Sequence, residues 1–573
     1  MTNAEIAAAF DELAVLYELD GAVKYRVLAY TNAAKAIRES PVSIADLAAA
    51  GRATELPGVG KTLAEKINML LEDGEIPAAV KLKEKFPPTL IEVTRVPGLG
   101  AKTAKLLFDE LGISSLEELK AAAESERIRD VKGLGPKVEE NVLAAMERLG
   151  EPGEGPGRLL LSTVRPIAEE LAAALREHPT AKRVEVAGSA RRWAETCKDI
   201  DLIATAQKPR ELAEHLAAHP LIAMAGKASA NGVRAQTHHG ISVDLRIVPP
   251  KAFGNLLQHF TGSAAHNVQL REDAVARGLS VSEHGIAETE SGKVHLCATE
   301  EKVYARLGYS YIEPELREGR GELKAAREGK LPKLVSIEDI RGDLHSHTTL
   351  SDGRNTLEEM AAAGRARGYA YMAITDHSAS HGFGDHVTAE RLWERIGEVR
   401  AWNKGKRGFR LLAGSEVNIG LDGSLDYPDD LLAALDWVVA SVHTSFSISE
   451  EAMTERVLAA IDNPHVDCIG HLTGRLIGRR EPYAVDVEAV VEAAARAGTM
   501  LEINGNPNRR DLSEHHARMA AEAGATIILN TDAHGVDTLD NMHYGVATAR
   551  RAWLTAAEVA NTRGWREFKQ LLK

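Results

Sequence analysis

Cysteine is scarce in this sequence. Cys197, Cys297 and Cys468 are its only cysteines among 573 residues, and their odd number and wide spacing argue against a disulfide framework. No apolar run is long enough to span a bilayer. The first residues, MTNAEIAAAFDELA, include acidic side chains and lack the basic segment that begins a signal peptide. We therefore expect a soluble cytoplasmic protein that does not associate with membranes.

An excess of basic residues is also missing. Lys and Arg number 69 against 83 Asp and Glu, which gives a formal net charge of −14 at pH 7. A nucleic-acid-binding domain normally contacts phosphates through a basic face. The acidic balance does not exclude such a partner, because backbone amides at helix N-termini and metal ions held by carboxylates also bind phosphates.

Three short glycine turns interrupt the first 150 residues, which are otherwise helical by pattern. LPGVGKTLAEKI, VPGLGAKTAKLL and VKGLGPKVEENV each place a Gly-x-Gly turn before an amphipathic helix. Such a turn directs backbone N–H groups outward and can hold a phosphate, although many helix hairpins use glycine for packing alone. The three copies resemble helix-hairpin-helix DNA-binding motifs, and the third, with Lys132 in place of proline, fits less well. The resemblance implies DNA contacts from Gly58, Gly60, Lys61, Gly98, Gly100, Lys102, Gly133 and Gly135, and a further lysine, Lys137, follows the third turn.

Two alternating aspartates mark the middle of the chain. Asp199 and Asp201, in KDIDLIATA, lie on an apolar strand, so both carboxylates face one side. Asp244 lies on another predicted strand, ISVDLRIV. Close carboxylates are unfavourable without a cation between them, and three of them suit two Mg²⁺ or Mn²⁺ ions in an in-line phosphoryl transfer. The alternative interpretation is the solvated face of an edge strand.

A Gly-Ser turn with two arginines, AGSARRW, precedes these aspartates and favours the metal-site interpretation, because it adds a phosphate-binding loop. This region resembles the nucleotidyltransferase signature of family X DNA polymerases, the polymerase beta type, over about residues 1–318. The resemblance implies that the three aspartates are catalytic metal ligands. It also implies a nucleotide-binding role for residues in AGSARRW and HFTGSAAHNVQLR, namely Gly188, Ser189, Arg192, His259, Phe260, Thr261, Gly262, Ser263, Asn267 and Arg271. His259 stands where polymerase beta has a tyrosine.

Lys66, in the first glycine hairpin, is a candidate nucleophile. It matches the position that forms a Schiff base with a 5′-deoxyribose phosphate in polymerase beta-like enzymes, so the resemblance implies a lyase step. A lysine must be neutral to attack, and a neighbouring cation such as Lys61 would favour the neutral amine. The alternative is a solvated helix lysine or a simple phosphate contact.

The second half places histidines and acids at strand ends. YAYMAITDH, LLAGSE, WVVASVH, DCIGH and TIILNTDAH are each an apolar strand that ends in such a residue. The C-terminal ends of the strands of a (β/α) barrel form one rim. We therefore expect nine metal ligands to converge there: His345, His347, Asp352, His377, Glu416, His443, His471, Asp532 and His534. A single histidine of this kind is usually structural, but five repeats favour two or three Mn²⁺ or Zn²⁺ ions, with Glu416 as a bridge.

The pattern HSH, DH, E, H, H and DAH resembles the PHP (polymerase and histidinol phosphatase) domain over about residues 338–573. The resemblance implies a distorted (β/α)7 barrel with a metal cluster. Behind a family X polymerase, it implies a Mn²⁺-dependent 3′→5′ exonuclease. Arg475, Arg479 and Arg480 are candidates to bind a DNA phosphate, and a surface basic run is the alternative.

These observations predict a multidomain chain. The expected domains are a helical domain with the first helix-hairpin-helix (1–80), a second helix-hairpin-helix domain (81–150), an α+β nucleotidyltransferase palm (157–250), a nucleotide-selecting subdomain (251–318), a charged linker (319–337) and a PHP phosphoesterase barrel (338–573). The turn-rich segment GEPGEGPG at 150–157 predicts the boundary before the palm.

The leading hypothesis for function is a monomeric DNA polymerase that fills short gaps in gapped or primed DNA with dNTPs during repair, including base excision repair, and trims DNA with its exonuclease. One alternative keeps the polymerase but makes the PHP domain a phosphomonoesterase, an AP endonuclease or a 3′-end trimming enzyme. Another alternative is a non-catalytic scaffold that binds DNA ends. The complete sets of carboxylates and histidines disfavour the scaffold, because an inactive site has no reason to keep close like charges.

Overall fold

A computed structural model describes residues 1, 3–40, 43–56, 58–94, 96, 99–136, 138–139, 142–143, 158–381 and 386–573. The chain forms two compact units. The first comprises Met1–Leu159, Thr163–Val186 and Lys198–Pro250, and the second comprises Leu160–Ser162, Ala187–Cys197 and Lys251–Lys573. Both units contain a hydrophobic core. Among the described residues, no helix is both long enough and apolar enough to cross a membrane. The boundary segment predicted at 150–157 lies outside the described residues.

Helices make up the beginning of the first unit. They are Asn3–Leu19, Lys24–Glu39, Ile44–Ala49, Lys61–Asp73, Pro77–Lys83, Pro88–Val93, Ala101–Leu111 and Leu116–Glu124. In the helix Lys61–Asp73, the buried side chains of Leu63, Ile67 and Leu70 recur at helical spacing and face the core. This helix ends at Gly74, whose φ of +77° suits the left-handed cap that glycine favours.

A mixed sheet follows in the first unit. The strands in this part of the chain are β1 (Leu159–Leu160), β2 (Ala181–Val186), β3 (Thr196–Cys197), β4 (Asp199–Ala206), β5 (Ile222–Ala225), β6 (Gly232–Thr237) and β7 (Ser242–Ile247), and the helices are Leu161–Glu177 and Pro209–Ala217. Five of the strands form a sheet with the order β2-β4-β7-β6-β5. Its β4 and β7 are parallel, and the other neighbours are antiparallel. The α+β organisation predicted for this region is confirmed.

The second unit contains a small antiparallel sheet with helices. Its strands are β8 (Leu279–Ser282), β9 (Gly285–Glu288) and β10 (Val294–His295), and its helices here are Gly188–Arg191, Phe253–Thr261, Ala264–Ala276, Glu300–Arg306 and Glu322–Arg327. The helix Ala264–Ala276 begins at Ser263, whose hydroxyl accepts a hydrogen bond from the backbone N–H of His266.

The segment 319–337, which the sequence suggests as a charged linker, is packed into the second unit. It contains the helix Glu322–Arg327, and the side chain of Glu322 is fully buried. The Glu322 carboxylate accepts a hydrogen bond from the backbone N–H of Gly319 (2.9 Å). The same carboxylate lies 2.6 Å from His266 Nδ1. At least one charge of this segment, that of Glu322, is therefore buried inside the second unit and is held there by fixed partners.

The rest of the second unit is a seven-stranded parallel sheet. The strands follow one another in chain order as β11 (Gly342–Asp343), β12 (Tyr371–Ile374), β13 (Arg410–Asn418), β14 (Trp437–Ser441), β15 (Cys468–Ile469), β16 (Met500–Asn504) and β17 (Ile527–Asn530). The helices are Leu357–Ala366, Ala389–Asn403, Asp429–Leu432, Glu450–Asp462, Val487–Ala497, Glu514–Glu522, Met542–Arg551 and Trp565–Phe568. A parallel bridge between Ser346 and Ala533 brings the two ends of the sheet together. The predicted (β/α)7 barrel is confirmed.

Alternate residues of the barrel strands belong to different cores. On β12, Tyr371 packs in a cluster with Trp437 of β14 and with Phe568, whereas the next residue, Met372, packs in the larger cluster that includes the helices. The ring of Phe568 stacks on Tyr371 with centroids 4.6 Å apart. This alternation explains why the strands read as continuous apolar runs, since both of their faces are buried.

Candidate functional site

The nine predicted ligands of the barrel converge at the C-terminal ends of its strands. Among the described residues, groups of three or more histidine, cysteine or carboxylate donors within 4.8 Å of one another all belong to the barrel. The groups are His345/His347/Glu416/Asp532, His347/Asp352/His377/His534 and His377/Glu416/His443. His471, which is in none of these groups, places its Nε2 atom 2.9 Å from Glu416 Oε1. The strand-end pattern thus places all nine side chains at one rim.

Glu416 lies at the centre of the cluster. Its Oε1 atom is 3.1 Å from His443 Nε2, and its Oε2 atom is 3.2 Å from His345 Nε2 and 2.9 Å from His377 Nδ1. Burial opposes ionisation of this carboxyl, but the imidazoles of His345, His443 and His377 together hold its pKa well below the usual range. A carboxylate that faces imidazoles through both oxygens has the geometry of a bridging ligand.

The surroundings of one cluster histidine, His347, favour the neutral ring that binds a metal. Burial, followed by the neighbouring imidazoles of His534 and His377, lowers the pKa of His347 to about 3. This ring is therefore neutral at physiological pH, which is the form that binds a metal. His345 Nε2 and Glu416 Oε2 are buried atoms that face each other without a hydrogen bond of good geometry in the described structure. Such donor atoms, in a mixed set of imidazoles and carboxylates, fit Mn²⁺ or Zn²⁺.

Glu502, on β16, is a functional candidate that the sequence analysis missed. Its carboxylate lies 2.9 Å from His345 Nδ1, whereas the other ring nitrogen, Nε2, faces Glu416. Burial raises the pKa of Glu502 to about 7. A partner on Nδ1 fixes the ring so that Nε2 faces the metal position. The signal was present, since MLEIN repeats the pattern of an acid on an apolar strand that identifies Glu416.

Two further buried aspartates hold the loops that carry the ligands. Asp376 accepts hydrogen bonds from the backbone N–H of Thr348 (2.7 Å) and from the hydroxyl of Ser351 (2.8 Å). Asp343 accepts one from the hydroxyl of Thr531 (2.5 Å). These contacts fix the loop after His347 and the strand end before Asp532.

The three palm aspartates lie on two neighbouring strands of the first unit. In the parallel pairing of β4 with β7, Asp201 is opposite Asp244 and Asp199 is opposite Ser242. Asp199 is exposed and the other two aspartates are partly exposed. Asp244 Oδ2 lies 2.8 Å from Arg246 Nη2. The three carboxylates therefore lie on one face of the sheet, on two of its interior strands, with an arginine as the local counter-ion.

The two predicted nucleotide-binding segments meet in the second unit. Gly188 has a φ of +65° and begins a short helix that carries Ser189. The Arg192 guanidinium donates to the carbonyl of Thr261 (2.5 Å) and to Glu318 Oε1 (3.0 Å). Gly262 has a φ of +68°, and a Cβ atom there would lie 3.2 Å from Arg192 Nη1. A glycine is therefore required where the two segments approach each other.

The other residues of the second segment lie on two consecutive helices. Asn267 Nδ2 donates to the carbonyl of His259 (2.8 Å), which ties the end of one helix to the next. The rings of His259 and Phe260 have centroids 5.5 Å apart. Burial lowers the pKa of His259. Arg271 is exposed.

The glycine hairpins begin helices in the first unit, as predicted. Gly58 has a φ of +79°, and Gly60 precedes the helix Lys61–Asp73, in which Lys61 is exposed and Lys66 is half-buried. In the second hairpin, Gly100 precedes the helix Ala101–Leu111, which carries the exposed Lys102. In the third hairpin, Gly133 has a φ of +93° and Gly135 follows it. Gly98 and Lys137 lie outside the described residues.

The three arginines proposed as phosphate ligands differ in their surroundings. Arg475 forms an ion pair with Glu195, and Arg480 lies over the Phe446 ring, 4.3 Å from its centroid. Arg479 is exposed. Sequence reasoning missed Arg509, whose Nε atom lies 3.7 Å from Asp532 Oδ2. Arg475 is therefore engaged within the protein.

Comparisons with known proteins cover the whole chain. Family models match a helix-hairpin-helix domain at 1–76, a SAM-like helix-hairpin-helix tandem at 90–148, a DNA polymerase beta thumb at 256–318 and a PHP domain at 343–506. The DNA polymerase/3′-5′ exonuclease PolX of Bacillus subtilis is 37% identical over 575 residues, covering 100% of both chains. A probable phosphatase of Thermoanaerobacter sp. is 33% identical over 232 residues, which is 38% of this chain and 89% of that protein. The probable phosphatase YcdX of Escherichia coli is 32% identical over 207 residues, which is 34% of this chain and 80% of that protein.

Proposed function

The chain belongs to the family X DNA polymerases that carry a C-terminal PHP domain, and from this premise we propose that it fills short gaps and trims 3′ ends in DNA repair. It is a DNA polymerase with a 3′→5′ exonuclease, and it binds DNA. The observation that carries the proposal is the 37% identity, over the full length of both chains, to a protein named as a DNA polymerase and 3′-5′ exonuclease. The convergence of nine candidate ligands in the barrel supports it.

In the polymerase half, we propose that Asp199, Asp201 and Asp244 hold two Mg²⁺ or Mn²⁺ ions. When bound, these cations favour ionisation of the primer 3′-hydroxyl and neutralise the departing pyrophosphate. Support comes from the register of β4 and β7, which places two of the carboxylates opposite each other. The reaction joins the 3′-oxygen to the α-phosphorus of a dNTP and releases pyrophosphate.

Two segments would hold the incoming nucleotide. Ser189 and Arg192 would bind the triphosphate, and the turn Thr261 to Ser263 would lie against it. The remaining members of the predicted set, His259, Phe260, Asn267 and Arg271, would contact the sugar, the base or the template. The glycine hairpins would bind the DNA backbone through the N–H groups of Gly58, Gly60, Gly98, Gly100, Gly133 and Gly135, together with Lys61 and Lys102.

In the exonuclease half, the nine ligands would hold two or three Mn²⁺ or Zn²⁺ ions, which when bound activate water for attack on a phosphodiester. The protein's own groups prepare the site. Glu502 would orient His345, and burial would keep His347 neutral. Arg509, which lies near Asp532, and the exposed Arg479 would bind the scissile or a neighbouring phosphate. Mn²⁺ dependence is part of this proposal.

A second candidate activity for the barrel is a phosphatase. The relatives that match only this part of the chain are named probable phosphatases. Both reactions expel an oxygen leaving group from phosphorus, so the same ligands would serve either. AP endonuclease and 3′-end trimming activities share this chemistry.

Lys66 would provide a 5′-deoxyribose phosphate lyase if its amine forms a Schiff base. Its half-buried position on the helix after the first glycine turn supports this role. Borohydride trapping on a 5′-deoxyribose phosphate end is expected to disappear in Lys66→Ala, and persistent trapping would assign the reaction to another amine.

A primer-template time course tests the main proposal. The intact chain is incubated with Mg²⁺ or Mn²⁺, with and without dNTPs, beside Asp201→Ala and the double variant His345→Ala/His347→Ala. We expect Asp201→Ala to lose only extension and the double variant to lose only digestion. Each loss should be about 100-fold or more, because removal of a metal ligand costs at least as much as removal of the outer partner of a ligand. If either variant keeps its activity, that site is wrongly assigned. Release of phosphate without shortening of the primer would favour the phosphatase. The domain boundaries, the cytoplasmic location and the monomeric state stay predictions.

A further inference from the structure

Three arginines of the barrel domain contact the segment Ala187–Cys197, which carries the first nucleotide-binding turn and belongs to the second unit. Arg475 Nη1 lies 3.3 Å from Glu195 Oε2. Arg510 Nη1 donates to the carbonyl of Trp193 (2.9 Å). Arg551 Nη1 donates to the carbonyl of Arg192 (2.8 Å). We call Arg475, Arg510 and Arg551 the arginine clamp.

Two of the clamp residues, Arg510 and Arg551, are buried and fixed by partners of their own. Arg510 has no exposed surface, and its Nε atom donates to the Thr548 hydroxyl (2.9 Å). Arg551 is 5% exposed, and its Nη2 atom donates to Glu514 Oε1 (2.7 Å). A buried guanidinium is costly unless its hydrogen bonds are made, so each arginine has one well-defined position. The carbonyls that they bind are correspondingly fixed.

The clamp reaches the side chain that is proposed to bind the triphosphate. Glu318 Oε1 accepts hydrogen bonds from Arg551 Nη1 (2.8 Å) and from Arg192 Nε (3.0 Å). Arg551 therefore holds the backbone of Arg192 directly and its guanidinium through Glu318. Arg192 Nη1 also donates to the carbonyl of Thr261, in the second nucleotide-binding segment. The orientation of Arg192 thus depends on a residue more than 350 positions further along the chain.

The segment needs such support because its backbone is strained at one point. Trp193 has a φ of +54°, a region that side chains larger than glycine rarely occupy. Its carbonyl is bound by Arg510, and its ring lies against Tyr544 with centroids 5.9 Å apart. A strained turn persists only when its surroundings hold it, and here the barrel domain provides those contacts.

We propose that the arginine clamp positions the nucleotide-binding segment, so that the barrel domain is a structural part of the polymerase nucleotide site as well as the nuclease. This inference rests on the proposed role of Ser189 and Arg192 in nucleotide binding. Arg475, Arg510 and Arg551 act as positioning residues, since they contact the segment and not the nucleotide. The clamp sets the affinity for dNTP and leaves the chemical step to the palm aspartates.

A purely structural contact between the same elements would behave differently. It would change the melting temperature and the amount of folded enzyme, and extension and digestion would fall together. A positioning role raises KM for dNTP, preserves digestion, and leaves kcat close to its original value at saturating dNTP. The reason is that binding of the nucleotide is weakened by the same amount in the ground state and in the transition state.

The Arg475–Glu195 pair allows a charge-exchange test on the full chain. Glu195→Arg, Arg475→Glu and the double variant are compared with wild type in single-nucleotide gap filling, in digestion of a labelled primer, and in equilibrium binding of a fluorescent dNTP to enzyme with a dideoxy-terminated primer. We expect each single variant to raise KM and the dNTP dissociation constant about tenfold. Digestion should be unchanged in Glu195→Arg, since Glu195 is not among the proposed phosphate ligands. The double variant should recover most of the loss, because the pair is restored with opposite polarity.

A matched control is Arg496→Gln, which removes an exposed barrel arginine paired with Glu492 (3.5 Å) and should change none of the readings. Unchanged dNTP binding in both single variants would overturn the inference, as would equal losses of extension and digestion. If wild type fails to extend the primer, or if Asp201→Ala extends it equally well, the proposed function fails instead. Arg510→Lys serves as a second variant that keeps the charge and loses the planar hydrogen bonds, and an unchanged KM there would also count against the clamp.

Discussion

The barrel cluster and the palm aspartates hold close negative charges in opposite ways. In the barrel, Glu416 and Asp532 are only 1% and 6% exposed, and imidazoles surround them. In the palm, Asp199 is exposed and Asp244 pairs with Arg246 at the surface. Buried carboxylates need fixed partners, whereas exposed carboxylates are stabilised by water and by a cation that exchanges with the solvent. From this difference we expect the barrel to hold resident metals and the palm to receive its metals together with the substrate.

Metal removal is the strongest test of this comparison. Treatment with EDTA is expected to lower the free energy of unfolding of the barrel by about 4 kcal/mol, if free metal had stood at about 1,000 times its dissociation constant. The palm should contribute nothing to that loss, because its carboxylates are solvated. Thermal melting with and without EDTA, beside metal analysis of the desalted protein, measures both expectations.

The double variant His345→Ala/His347→Ala is the control for this measurement. It should melt at the temperature of EDTA-treated wild type and show no further shift with EDTA. Asp201→Ala should retain the full EDTA effect. A wild-type protein that carries no metal after desalting and melts unchanged in EDTA would contradict the idea of resident metals.

A second buried charge cluster extends the comparison to the nucleotide-binding part of the second unit. Glu300 lies between Arg317 Nη1 (2.6 Å) and Arg191 Nη2 (2.7 Å). Burial opposes its ionisation, but the two arginines outweigh burial and lower its pKa to about 2. Glu300→Gln should lower the free energy of unfolding by about 3 kcal/mol at pH 7.

The pH dependence of that loss follows from the direction of the shift. Because the pKa of Glu300 is lower in the folded protein, the stabilisation is complete above the unfolded pKa and declines as pH falls towards about 2. Urea unfolding of wild type and variant between pH 7 and pH 3 should therefore show a narrowing difference. Glu522→Gln, in an exposed pair with Arg518 (2.9 Å), is the matched control with little effect at any pH. A difference that grows at low pH would refute the assignment.

The sequence predicted that the nine candidate ligands of the barrel would lie close together, because most of them follow an apolar strand and strand ends converge in a parallel barrel. It did not reveal Arg475 as a partner of Glu195, since 280 residues separate them and a surface arginine and a paired one look alike in sequence. The burial of Glu322 was also missed, because its neighbours in 319–337 are charged and the segment looks exposed in sequence. Local patterns predict which face of an element is apolar, whereas charge pairing depends on tertiary contacts.

Glu502 offers a test of how the barrel cluster holds its metals. Glu502→Gln weakens the hydrogen bond to His345 Nδ1 while leaving all nine ligands in place, so we expect the metal affinity to fall by about 10- to 100-fold, or about 2 kcal/mol. Competition with a chelating dye measures this without reference to activity. Glu488→Gln, on the exposed face of the helix Val487–Ala497, is the control. An unchanged affinity would mean that other contacts orient His345.

The smallest effect on stability is expected at the palm, where the Arg246 guanidinium lies beside Asp244 in place of a metal ion. Because this ion pair is partly exposed, Arg246→Gln should change the free energy of unfolding by less than about 1 kcal/mol. The same change frees the Asp244 carboxylate, so the Mg²⁺ concentration that half-saturates primer extension should fall. Arg210→Gln, which breaks an exposed pair with Glu214 (2.9 Å), controls for the loss of a positive charge and should leave that concentration unaltered. If Arg246→Gln instead needs more Mg²⁺, the arginine assists metal binding, and the palm would resemble the barrel in depending on a fixed partner.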